Sequence, residues 1–313
     1  MKKWIALLLS YLALAVCPAL AKDLDVVFIP KSRDQVFWTF MRQGVERAMR
    51  EDGHVQLTWR GPAHNDDIDS QIEILRIYSK PGIDAIIIAA TDRSRLVASV
   101  EQAAALGIKV IAVDSALDGK AHTNFITTHN VAAGRLAAER LAGLLNRQGR
   151  VAVLRTIAGS GSTEERAEGF IDYMKKNAPR ISVVADEYGG GTRGKAARSA
   201  ALLLEKYPDL DGIFAVNEST SDGMLRALRQ AGFAGKKKFV GFDTTDFLLE
   251  GLSRQEIHGL VVQDPRQMGY LSMKAALAAA RGAAMKEQTI LTDAVMVTRD
   301  NYDKPEIQAL LVP

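Results

Sequence analysis

Short apolar runs alternate with longer amphipathic segments along most of the chain. Runs such as Ala85-Ile86-Ile87-Ile88-Ala89 are apolar at every position. That is the pattern of strands buried on both faces. On this basis strands are expected at 25–29, 55–59, 85–89, 109–113, 151–154, 182–185, 212–215, 239–242 and 259–262. The intervening segments predict helices at 37–51, 67–78, 93–106, 132–146, 162–177, 193–207, 219–231, 245–251 and 265–280. Gly107 and Gly232 stand where helices should stop, and Ser162 with Glu165 reads as a capping box. Strands alternating with helices of 10–15 residues mean βαβ units, parallel sheets and right-handed crossovers.

These units are too many for one ordinary sheet. Two βα runs are visible, one ending near Thr128 and one beginning at Asn130, with no Pro/Gly/Ser-rich linker between them. The expected fold is α/β, with two doubly wound parallel-sheet domains. Ligands bind such domains beyond the carboxyl ends of the strands, so two of them facing each other would make a cleft lined from both sides.

The chain begins differently. Lys2 and Lys3 precede an apolar stretch at 4–16, and Ala19-Leu20-Ala21 follows. This is the layout of an export signal, and the stretch is shorter than the ~20 residues of a membrane span. Residues 1–21 are therefore expected to be removed, leaving a periplasmic chain from Lys22. A second reading concerns Cys17: Leu14-Ala15-Val16-Cys17 loosely resembles a lipobox, although Val16 is not the small residue wanted there. The alternative is an apolar residue discarded with the leader.

Composition narrows the partners. Cys17 is the only cysteine, so the processed chain has no disulfide and depends on apolar burial. Loss of Lys2 and Lys3 lowers the basic count from 40 to 38 against 37 acidic residues, a net charge of about +1. That is no electrostatic footprint for nucleic acid. Lys236-Lys237-Lys238 reads as a solvated turn. His54, His122, His129 and His258 are scattered without metal-ligand spacing. Neither a metal nor a cofactor is expected.

The chemistry gathers at the strand ends. Lys31, Ser32, Arg33, Asp34, Phe37 and Trp38 follow the first strand. Asp114, Asn217, Asp243 and Gln263 each end a later one, and Arg166 lies in the first turns of a helix after the loop Ala158-Gly159-Ser160-Gly161. Carboxylates accept hydroxyl protons, amides donate and accept, and arginine donates in a fixed fork. Aromatic faces can stack on the C–H face of a sugar ring. The set suits a neutral polyhydroxylated ligand. Taken singly, an Asp after a strand also fits a turn or helix cap, Trp38 fits core packing, and Lys31 fits a surface position.

The same residues carry a family resemblance. Phe37-Trp38, the 110–114 strand, Glu164-Glu165-Arg166-Ala167-Glu168-Gly169-Phe170, Phe214-Ala215-Val216-Asn217-Glu218, Val240-Gly241-Phe242-Asp243 and Gln263 occur in the order seen in periplasmic sugar-binding proteins of the ribose-binding type. These resemble the ligand domain of lactose-repressor-like regulators. The likeness runs from about Asp25 to the C-terminus. It implies two domains, 22–128 plus 264–294 and 129–263 plus 295–313, hinged at three crossings near 128–130, 263 and 294–296. It also implies sugar contacts from Phe37, Trp38, Asp114, Arg166, Asn217, Asp243 and Gln263. The chain departs from ribose binders at Ser115, where they carry Arg, at Gly191, where they carry a stacking Phe, and at Lys31, Asp34 and Gln35. Pro30-Lys31-Ser32 looks closer to relatives that bind rhamnose-like sugars or a furanose autoinducer. Lys31 and Asp34 therefore join the candidates.

The expected function is capture of a monosaccharide, polyol or similar solute by a monomeric, non-enzymatic binding protein serving an ABC permease. A membrane sensor, either a histidine kinase or a chemoreceptor, is the alternative partner. A glycosidase using Asp114 and Asp243 as paired carboxylates is a third reading. A DNA-binding regulator would need a helix-turn-helix where the leader stands. Gly189-Gly190-Gly191-Thr192-Arg193-Gly194-Lys195 fits a phosphate-binding loop, but Ala196 replaces the Ser or Thr that would hold magnesium. A flexible strand-to-helix loop is the better reading. The Asn217-Glu218-Ser219 sequon carries little meaning in a bacterial-type export context.

Overall fold

A computed structural model describes residues 23–311 apart from 284 and 286; the leader and Cys17 lie outside them. The first sheet contains β1 (Leu24–Ile29), β2 (Val55–Trp59), β3 (Ala85–Ile88), β4 (Lys109–Val113), β5 (Asn124–Thr128) and β11 (Thr289–Thr292). Its order is β11-β5-β4-β3-β1-β2, all parallel. The second contains β6 (Gln148–Arg155), β7 (Arg180–Tyr188), β8 (Gly212–Ala215), β9 (Lys238–Phe242), β10 (Gly259–Gln263) and β12 (Ala294–Val297). Its order is β12-β10-β9-β8-β6-β7, with β12 alone antiparallel. The two orders are the same doubly wound pattern, so the chain folds as two parallel-sheet α/β domains.

Alternation along β3 shows why the apolar run is a strand. Ala85 and Ile87 face one core cluster and Ile86 and Ile88 the other, all fully buried. Each buried Ile contributes about 1.5–3 kcal/mol, and a helix would spread these four residues around its axis. On one face lie α1 (Val36–Asp52) and α9 (Pro265–Ala280); on the other, α2 (Ile68–Tyr78) and α3 (Val97–Ala105). In the second domain α4 (Asn130–Leu144) and α5 (Gly161–Asn177) cover one face. The opposite face carries α6 (Arg193–Lys206), α7 (Glu218–Gln230), α8 (Asp246–Ser253) and α10 (Pro305–Leu311).

The chain passes between the sheets from Thr128 to Asn130, from Gln263 to Pro265, and at Asp293 between β11 and β12. Two helices thereby change domains. α4 follows a first-sheet strand but packs on β8, β9, β10 and β12. α9 follows a second-sheet strand but packs on β1, β3, β4 and β5.

Four elements escape the apolar pattern. β5 (Asn-Phe-Ile-Thr-Thr) is mostly polar, β11 and β12 have four residues each, and α10 has seven. The expected capping box at Ser162 and Glu165 is not formed. α5 starts one residue earlier with Ser160 as N-cap, which makes no side-chain cap bond. The Ser162 hydroxyl instead meets Lys31 and Ser115. A capping box does form between Asn217 and Thr220, at the start of α7.

Candidate functional site

The C-terminal strand ends of both sheets converge on one cavity. It is lined by Lys31, Gln35, Phe37, Trp38, Asn65, Asp114, Thr156, Ile157, Ser160, Ser162, Thr163, Arg166, Asn217, Asp243 and Gln263. This is the crevice position expected of doubly wound sheets, contributed here by two of them.

Its lining holds two cations, Lys31 and Arg166, and two carboxyl groups, Asp114 and Asp243. Lys31 Nζ is 3.2 Å from Asp114 Oδ2, and both side chains are 6 % exposed. The same ammonium donates to Ser160 Oγ and Ser162 Oγ, each at 3.2 Å, so a first-domain lysine is held by second-domain hydroxyls. Burial pulls the Lys31 pKa below its ordinary value, against the opposing effect of Asp114. Arg166 is held on every side. Nε donates to Asn130 Oδ1 at 2.9 Å, Nη1 to the Val216 carbonyl at 3.1 Å, and Nη2 to Gln263 Oε1 at 2.9 Å. Its guanidinium carbon lies 3.9 Å from the Phe242 ring centroid, a cation–π contact. Burial lowers the Arg166 pKa, while Asp243 and Asp114 act the other way.

Asp243 accepts from Gln263 Nε2 at 2.7 Å and from the Glu218 N–H at 3.0 Å. Burial raises its pKa despite the nearby Arg166. Asn217 both lines the cavity and caps α7, its Oδ1 accepting from the Thr220 N–H at 3.1 Å. Phe37 and Trp38 meet edge to face at 4.9 Å; they line the cavity and also belong to the first-domain core. Among the described residues, Gln35 Nε2, Trp38 Nε1, Asn65 Oδ1 and Thr156 Oγ1 are buried polar atoms of the lining without a protein partner. A buried polar group left unpaired costs about 1–3 kcal/mol, so these atoms gain most from a ligand carrying hydroxyls.

Eight of the nine residues named from the sequence line this cavity. Asp34 does not: its Oδ2 lies 3.2 Å from His64 Nδ1 and its carbonyl accepts from Arg193. The sequence reading missed Gln35, Asn65, Thr156, Ile157, Ser160, Ser162 and Thr163. Asn65 follows β2, and the others except Gln35 follow β6, so the strand-end signal was present but extends several residues into each loop. Gly191 lies outside the lining, and Phe37 and Trp38 are its aromatic residues. No group of three His, Cys, Asp or Glu side chains among the described residues could hold a metal ion. None of their helices is long and apolar enough to cross a membrane.

Comparison with known proteins agrees with this fold. The ribose import binding protein of Bacillus subtilis is 28% identical over 256 residues, 82% of this chain and 81% of that protein. The periplasmic component of an ABC-type sugar transport system from Hahella chejuensis superposes with a TM-score of 0.84 at 36% identity, covering 88% of this chain and 100% of that one. A carbohydrate transporter solute-binding protein from Agrobacterium radiobacter, solved with D-arabinose, gives a TM-score of 0.89 at 33% identity, covering 94% and 100%. Residues 26–284 match the periplasmic binding protein domain, and the chain belongs to that family.

Proposed function

We propose that this chain captures a monosaccharide, polyol or related small hydroxylated ligand in the periplasm and delivers it to an ABC transporter. One observation carries the reading. The strand ends of both domains meet in a cavity combining two cations with two carboxyl groups, unpartnered hydrogen-bonding atoms and the Phe37–Trp38 pair. Equal numbers of cations and carboxyl groups leave little net field, which favours a neutral ligand over an ionic one, and the directional groups suit several hydroxyls. The names of the ribose-import and D-arabinose-bound relatives support the same class.

In this reading Lys31, Phe37, Trp38, Asp114, Arg166, Asn217, Asp243 and Gln263 contact the ligand. The domains are those expected at 22–128 plus 264–294 and 129–263 plus 295–313, with the last boundary moved to Asp293 because Ala294 already pairs in the second sheet, and they close by hinge motion. The protein acts as a monomer and catalyses nothing. Asp114 and Asp243 are held by Lys31 and by Gln263 with the Glu218 N–H, which fits them as fixed acceptors.

Trp38 at the cavity wall supplies the test. The processed protein is titrated with pentoses, hexoses, 6-deoxyhexoses and polyols, following tryptophan fluorescence and thermal unfolding. A true ligand at 100 times its Kd stabilises by about 2.7 kcal/mol. Silence in both readouts across the whole panel would overturn the proposal.

A further inference from the structure

The glycine-rich loop that fits a phosphate-binding pattern is occupied in another way. It reaches from the second domain to the first. The Gly191 N–H donates to Asp66 Oδ2 at 3.2 Å, and Lys195 Nζ donates to the same oxygen at 2.6 Å. Arg193 Nη1 donates to the Asp34 carbonyl at 2.9 Å, and its Nη2 bonds Glu218 Oε1. Glu218 is fully buried, and its Oε2 accepts from the Phe37 N–H at 3.0 Å.

Phe37 is the second residue of α1, whose own N-cap, Gln35, makes no side-chain cap bond. The first amides of a helix need acceptors, and here a carboxyl oxygen of the other domain supplies one. None of Asp66, Gly191, Arg193, Lys195 or Glu218 lines the ligand cavity.

We propose that the Gly189–Lys195 loop together with Glu218 is a closure clasp, gripping Asp34, Phe37 and Asp66 when the domains meet and setting ligand affinity without touching the ligand. The inference rests on the two-domain closure reading above. Within the clasp, the half-exposed Lys195–Asp66 pair contributes little. The buried contacts carry the effect. The Glu218 carboxyl group is buried where Arg193 and the α1 N-terminus both meet it, and a buried polar group without such partners is disfavoured. Its bond to Phe37 also fixes the start of the helix that holds Phe37 and Trp38 against the cavity, which makes Glu218 a positioning residue.

Gly191 gives the sharpest test. Its φ lies outside the left-handed region, so alanine suits the backbone. However, an added Cβ would sit 2.6 Å from the Asp66 backbone nitrogen, in the other domain. Gly191→Ala therefore leaves each domain intact and obstructs their meeting. The processed protein, labelled with a dye on each domain through Glu101→Cys and Lys175→Cys, is titrated with D-ribose, D-arabinose and D-fucose. Energy transfer reports closure, calorimetry reports affinity, and ligand-free thermal unfolding is the control.

For whichever sugar the wild type binds most tightly, Gly191→Ala should bind roughly ten- to a hundredfold more weakly. Its ligand-free melting temperature should be unchanged. Glu218→Ala should behave alike, and Glu218→Gln, which keeps an acceptor for the Phe37 N–H, should lose less. Wild-type affinity and closure in Gly191→Ala would overturn the clasp. So would a matching fall in ligand-free stability, which would make the loop a strut of the second domain. A wild-type protein that answers to no sugar would sink the sugar reading instead. The clasp would then stand or fall on the ligand-free closed population, which Gly191→Ala must lower.

Discussion

Asp114 and Asp243 occupy equivalent places in the two domains. Each follows the corresponding strand, β4 or β9, and each has a left-handed backbone, with φ of 62° and 65°. Each N–H donates at 2.8 Å to a neighbouring strand, Asp114 to the Ile126 carbonyl and Asp243 to the Val261 carbonyl. The sharp turn aims both carboxyl groups into the cavity. Asp and Asn tolerate this backbone better than most residues, and others are disfavoured by about 1–2 kcal/mol.

Backbone and side-chain roles are therefore separable. Asp114→Asn keeps the turn but removes the charge facing Lys31, while Asp114→Ala loses both. Sugar affinity should fall at least tenfold in either variant. In ligand-free denaturant unfolding, Asp114→Ala should be less stable than Asp114→Asn by about 1 kcal/mol. Equal stability of the two would remove the strain argument, and unchanged affinity would remove Asp114 from the site.

Gln263 connects the cavity to a domain crossing. Its Oε1 accepts from Thr128 Oγ1 at 2.7 Å and from Arg166, while its Nε2 donates to Asp243. Thr128 ends β5 and does not line the cavity. Thr128→Val should nevertheless weaken sugar binding several-fold, because it frees one of the bonds orienting Gln263. Gln263→Leu takes one bond each from Arg166 Nη2 and Asp243 Oδ1 and should weaken binding far more, since each buried polar atom left unpaired costs about 1–3 kcal/mol. In the Gln263→Leu background Thr128→Val should have no further effect on affinity. Additive losses in that double-mutant cycle would mean that Thr128 acts independently of Gln263.

Much of this architecture was legible because β1, β3, β4, β8, β9 and β10 are nearly unbroken apolar runs, and β4, β9 and β10 run straight into Asp114, Asp243 and Gln263. Burial on both faces writes such strands plainly into the sequence. β5 was not legible, since Thr127 and Thr128 are buried through hydrogen bonds to Asp114 and Gln263 rather than through apolarity. Ser162 misled for a related reason: its hydroxyl serves a partner 131 residues away, not the adjacent helix end. The site was legible at single strand-end residues and illegible deeper in the loops, as with Asn65 and Thr156. The clasp was least visible of all. Asp66 and Gly191 meet each other, and Glu218 meets Phe37, only where the two domains touch, and no local pattern marks a contact made at that distance.

Close helix packing bears on the site through Gly134. A Cβ there would sit 2.0 Å from the Arg166 carbonyl oxygen, where α4 meets α5. Gly44 is the corresponding close approach in the first domain, 1.9 Å from the Arg266 carbonyl where α1 meets α9. Both alanine variants should lose about 1–3 kcal/mol of stability from overpacking. Gly134→Ala should also lose more sugar affinity than Gly44→Ala, because the displaced backbone belongs to the arginine in the cavity. Equal affinity losses would show that Arg166 does not depend on this contact for its position.

Closure should also take up a proton at Glu218. Burial raises its pKa to about 8, against Arg193 on α6 and the Phe37 N–H at the start of α1, with Asp243 adding to the rise. Asp222, one turn along α7, is itself engaged by Arg193 and Arg226. With the domains apart, the carboxyl returns towards its ordinary value of 4.5. A group whose pKa is raised in the closed form favours closure fully below 4.5, and that contribution is lost as pH rises through about 8. Asp243, raised by burial, acts in the same direction. Lys31, lowered by burial, favours closure as pH rises, in the range below its ordinary 10.5. Sugar affinity should therefore weaken between pH 5 and pH 8, and about one proton should be bound per closure near neutrality. Calorimetry at one pH in buffers of different ionisation enthalpy counts that proton. Glu218→Gln should remove it and flatten the pH profile. Identical proton counts in the two proteins would show that Glu218 does not change its ionisation when the domains close.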